Sequence, residues 1–116
     1  MSSQQLHRQY QQSLADKAAQ LRVAFDALCD EDSSVAQVEN LHLLLHRLAG
    51  SAGTYGFPEL SQQARALEQP WRVWMDAADD ARHPAWRICV EQGIAFAALL
   101  EGLRATAARI EAAPGG

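Results

Sequence analysis

Apolar residues recur at spacings of three and four along four separate stretches of this 116-residue chain, and strict apolar–polar alternation occurs nowhere. That period is the one a helix needs to bury a single face, so it commits the chain to helices and excludes a sheet. In the first stretch Leu6, Tyr10, Leu14, Ala18, Leu21, Phe25 and Leu28 share a stripe, which predicts one long helix over residues 3–29. The run Asp30-Glu31-Asp32-Ser33 interrupts it. Ser34 then stands three residues before Gln37, a capping-box spacing that opens a second helix with its seam at Val38, Leu41, Leu45, Leu48, Ala52 and Tyr55. Gly56 suits the end of that helix and Pro58 the first turn of a third. The third stripe is Leu60, Ala64, Leu67, Trp71 and Trp74, with Pro70 inside it expected to kink or divide the helix near Gln69. Residues 79–83 read as a turn, and Pro84 opens a fourth helix along Ile88, Phe96, Leu99, Leu103 and Ile110.

Abundant alanine and few β-branched residues favour the same assignment, because alanine loses no side-chain entropy in a helix. The expected fold is all-α, an antiparallel four-helix bundle over residues 1–112, with 113–116 as a linker or tail. The three tryptophans, Trp71, Trp74 and Trp86, are expected to serve as core and packing residues.

The formal charge of −4 and the absence of any basic cluster argue against a nucleic-acid partner. No apolar run approaches the roughly 20 residues that span a bilayer. The N-terminus lacks the basic and apolar regions of a signal peptide. Cys29 and Cys89 lie far apart in sequence and outside any C-x-x-C pair, so buried reduced thiols and a cytoplasmic address are expected.

The second helix carries the chemistry. Set at about 100° per residue, it points His46 roughly 130° from the centre of the buried seam, and His42 about 90° from it. Leu43, one turn before His46, and Gly50, one turn after, point almost directly outward, and Gly53 follows close by. Exposed histidines and single exposed leucines are ordinary features of soluble proteins, and helix glycines often serve packing. Here all of them fall on one face. A glycine costs a helix interior about 1 kcal/mol relative to alanine, and close approach of another surface is the simplest compensation.

The run His46-Arg47-Leu48-Ala49-Gly50-Ser51-Ala52-Gly53 resembles the motif of the histidine-phosphotransfer (HPt) family. In that motif the phosphoacceptor histidine is followed by x-Leu-(Lys/Arg/Ala)-Gly-Ser and further small residues. Phe57-Pro58-Glu59-Leu60 and Leu67-Glu68 look like the family's next helix. The resemblance implies that His46 accepts a phosphoryl group, with Gly50 giving access and Ser51 supporting the site. Leu43, Gly50 and Gly53 would form the docking face. The implied partners are a response-regulator receiver domain, a hybrid sensor kinase, or both, and the carrier itself is expected to be monomeric. Many members carry a lysine three residues after the histidine. This chain has Ala49 there, and Arg47 and Arg65 are the candidate substitutes.

A neutral imidazole is a competent nucleophile near physiological pH, because its ordinary pKa is about 6.5. The second ring nitrogen needs a partner for its proton, and the sequence names none. No G-x-x-x-x-G-K-[ST] or other glycine-rich phosphate loop is present, so the chain reads as a phosphocarrier without kinase activity. It is expected to bind no cofactor, with Mg²⁺ supplied by the receiver. The His42 and His46 spacing also suits two ligands of one metal ion, but no Glu-x-x-His motif accompanies it, and no metal site is expected. The alternative function is a helical adaptor that binds a receiver or kinase through the same face without being phosphorylated.

Overall fold

The structure, a computed structural model, describes residues 2–29 and 33–112, the last three by backbone alone. Four long helices account for most of it: α1 (Ser3–Leu28), α2 (Val35–Thr54), α3 (Pro58–Asp76) and α4 (Ala85–Ala112), with a short 3₁₀ turn at Asp79–Ala81. No strand occurs among the described residues. The expected break at Asp30-Glu31-Asp32, the tail at 113–116 and the Ile110 side chain lie outside the described residues.

Local chemistry sets the helix ends. Ser2 and Ser34 each cap a helix in a reciprocal box, with Gln5 and Gln37 returning the bond. α2 ends in a Schellman motif, in which the Phe57 N–H donates to the Ala52 carbonyl and the Gly56 N–H to that of Gly53. This closure needs Gly56 at φ +88°, a backbone that disfavours any residue with a Cβ. Pro58 begins α3 at the position where its missing N–H costs nothing. At the other end of α3, Arg82 donates to the carbonyls of Trp74 and Met75 and spares them from going unpaired.

The helices pack in sequence order around one core, and α4 closes the ring against α1. Each adjacent pair is antiparallel. Gln11 near the start of α1 bonds to the Thr106 carbonyl near the end of α4, while Phe25 stacks on Phe96 at the opposite end. Leu14, Leu21, Leu28, Val38, Leu41, Leu45, Trp71, Phe96, Leu99 and Leu103 are fully buried, as the four stripes require.

Three sequence expectations change. Leu6 is exposed, because the first turn of α1 lies outside the core. Trp86 is 38% exposed, lying over a surface cavity with Cys29, Cys89 and Val90, so only Trp71 is a full core residue. Pro70 does not divide α3, which runs unbroken from Pro58 to Asp76. A proline weakens the helical bonds of the preceding turn. In the same turn the buried Gln92 of α4 donates to the Leu67 carbonyl and accepts from the Trp71 indole, which ties α3 to α4. Burial of Leu67 and Trp71 on either side holds the chain helical through the proline.

Candidate functional site: an exposed histidine tied to a half-buried glutamate

α2 and α3 approach closely because their facing positions are small. Ala49 and Ala52 are buried, and the Ser61 hydroxyl of α3 donates to the Ala49 carbonyl at 2.6 Å. A Cβ on Gly53 would stand 3.3 Å from that same hydroxyl. Gly53 therefore lies at the α2–α3 contact while remaining exposed to solvent. The tight hairpin fixes the register in which α3 presents its side chains to His46.

His46 sits on the outer side of this hairpin with its side chain 62% exposed. Its Nδ1 lies 2.9 Å from Oε1 of Glu68, whose side chain is only 12% exposed. A carboxylate oxygen accepts and cannot donate, so the bond places the proton on Nδ1 and leaves the Nε2 lone pair free. His42, one turn earlier on α2, stacks on His46 with ring centroids 6.0 Å apart and planes 14° from parallel. Its Nε2 is buried and lies 3.5 Å from the same Glu68 oxygen. That separation is within ion-pair reach but too long for a hydrogen bond, so the nitrogen has no partner.

A surface cavity of about 400 Å³ opens beside the ring, lined by His46, Ala49, Gly50, Arg65, Glu68 and Gln69. A Cβ on Gly50 would meet nothing within 4 Å, which agrees with an open approach. Leu43 is 43% exposed, one turn away. Of the two candidate cations, Arg65 lines the cavity. Arg47 instead lines a separate cavity between α1 and α2, with Lys17, Leu44, Tyr55 and others. Ser51 faces that side too, where its hydroxyl shares a 2.6 Å hydrogen bond with the Tyr10 phenol. Ser51 thus ties α2 to α1 and does not touch His46. Burial pushes the Tyr10 phenol upward, an effect that the Ser51 bond partly offsets.

Glu68 is the residue that sequence reasoning left without a role. The signal was present, since His46 and Glu68 lie equally far along the chain from Phe57 at the turn, and such positions meet in an antiparallel hairpin. Among the described residues no group of three or more side chains is placed to hold a metal ion. No helix among them is long and apolar enough to cross a membrane.

A family model, the Hpt domain, matches residues 5–112. The chain belongs to the histidine-phosphotransfer family, whose members are phosphocarrier modules of two-component phosphorelays that interact with receiver and kinase domains. No curated protein and no solved structure matches it.

Proposed function

We propose that His46 is the phosphoacceptor and that it exchanges its phosphoryl group with the aspartate of a response-regulator receiver domain. The observation that carries this reading is the Nδ1 bond to Glu68 beneath an exposed ring. In the forward step the Nε2 lone pair attacks phosphorus of the aspartyl phosphate. The N–P bond forms, the P–O bond to the aspartate breaks, and the aspartate leaves as a carboxylate. The Nδ1 proton stays on the ring, and the positive charge that grows there is met by the Glu68 carboxylate. Reversal returns the phosphoryl group to a receiver.

Transfer of this kind depends chiefly on positioning and electrostatics. The rigid α2–α3 hairpin provides the first. Arg65 contributes a cation beside the cavity, in place of the lysine that Ala49 does not provide. Mg²⁺ belongs to the receiver's own site. Gly50 and Leu43 form the surface on which the receiver sits. The carrier works as a cytoplasmic monomer and binds no nucleotide.

The test is mass mapping of phosphate after incubation with a receiver domain loaded from acetyl phosphate. Label is expected on His46, labile in acid, and His46→Gln should abolish it while leaving helix content and melting nearly unchanged. Full labelling of that variant would overturn the assignment, and full signalling activity without label would favour the adaptor.

A further inference from the structure

We propose that His42 is a positioning residue for transfer at His46. Its Nε2–H anchors the Glu68 carboxylate that in turn holds the Nδ1 proton of His46. The inference rests on the phosphoacceptor reading above and adds a third member to that pair.

Two otherwise unexplained features lead to it. The first is the buried Nε2 of His42, which has no hydrogen-bond partner. Buried polar atoms without partners are rare because each forfeits its bonds to water. Oε1 of Glu68 lies 3.5 Å from this nitrogen. The second is Glu68 itself, a carboxylate mostly withdrawn from water. Among the described residues its only ion-pair neighbours are the two imidazoles, and no lysine or arginine reaches it. One of those imidazoles is an exposed ring that must also engage a partner protein. The other is held at 17% exposure and stacked against the first.

The tautomer of His42 follows from the geometry. With the proton on Nδ1, the Nε2 lone pair would face the lone pairs of a carboxylate oxygen, which is repulsive. With the proton on Nε2, a carboxylate shift of a few tenths of an ångström brings the pair within ordinary hydrogen-bond length. Oε1 then accepts from both imidazoles at once and is held at the position where it fixes the His46 proton on Nδ1. Without the second donor the carboxylate can turn away, and His46 can place its proton on Nε2, where it blocks the nucleophile.

The discriminating pair of variants is His42→Phe, which keeps a stacking ring but no donor, and His42→Gln, which restores an N–H of similar reach. Long-range ¹H–¹⁵N correlation spectra read the His46 tautomer directly, with no phosphate or partner present. In the Phe variant the Nδ1–H population of His46 should fall, and transfer from an acetyl-phosphate-loaded receiver should slow about fivefold, the effect of losing one hydrogen bond. The Gln variant should recover both. A Phe variant with the parent tautomer signature and the parent transfer rate would overturn the proposal. So would a Gln variant no better than Phe in either readout. If the unaltered protein takes no label on His46, the phosphoacceptor reading fails by itself, while the tautomer comparison still decides whether His42 holds Glu68.

Discussion

Two glycines three residues apart on α2 do different jobs, and the space around each shows which. Gly50 faces open water and Gly53 faces Ser61. Gly50→Ala should therefore stabilise the fold by about 0.5–1 kcal/mol, the helix-propensity gain of alanine over glycine. Gly53→Ala should gain less or lose, because its new methyl must displace a hydroxyl bonded to the Ala49 carbonyl. Urea denaturation of the two variants separates them. Gly50→Leu should not lower stability, leucine too being a better helix former than glycine, yet it should slow receiver transfer at least several-fold in rapid-mixing assays, by filling the approach to His46. Unchanged transfer would show that the receiver does not come over Gly50.

At the scale of elements, α3 depends on help from α4. Pro70 removes a helical donor in the turn where Trp71 and Leu67 are buried, and Gln92 reaches across with both ends of its amide. Gln92→Leu keeps similar bulk but leaves the Trp71 indole N–H and the Leu67 carbonyl with one partner fewer. The expected cost is about 1–3 kcal/mol for each group stranded, measured as a lowered urea midpoint. The loss should persist when Pro70→Ala is made first, because the alanine N–H reaches the Ala66 carbonyl four residues back and supplies a partner to neither the indole nor the Leu67 carbonyl. A loss that vanished in the Pro70→Ala background would show instead that Gln92 serves only the proline turn.

Across the whole molecule, the α1–α4 seam brings together two cysteines that sequence reasoning expected to be buried thiols with no particular relation. Both are free; Cys29 is exposed and Cys89 buried, and they line one cavity. Burial, and then the Cys29 thiol beside it, push the Cys89 thiol up from its ordinary 9.0 to about 12. A thiol raised on folding favours the folded state fully below its unfolded value. That contribution is lost as pH rises from about 9 to about 12, because the unfolded chain gives up the proton first. The urea midpoint should thus fall across that window, with the raised Tyr10 phenol adding to the slope above its ordinary 10.0. Cys89→Ala should reduce the slope whatever it does to the absolute stability. An unchanged slope would locate the alkaline sensitivity elsewhere.

The four helices, their caps and most of their buried faces were legible in sequence. Each depends on periodicity or on residues within one turn, such as Ser34 with Gln37 and Gly56 before Phe57. The outward placement of His46, Leu43 and Gly50 was legible for the same reason, since it is a property of a single helix. What touches what across helices was not. Glu68 against His46, Ser61 against Gly53, Gln92 bridging Leu67 and Trp71, and the turn of Ser51 and Arg47 towards α1 were decided by tertiary packing. A helical wheel gives a side chain its direction but not its partner. The partner depends on how closely two helices approach and in which register, and small residues at the α2–α3 contact set both.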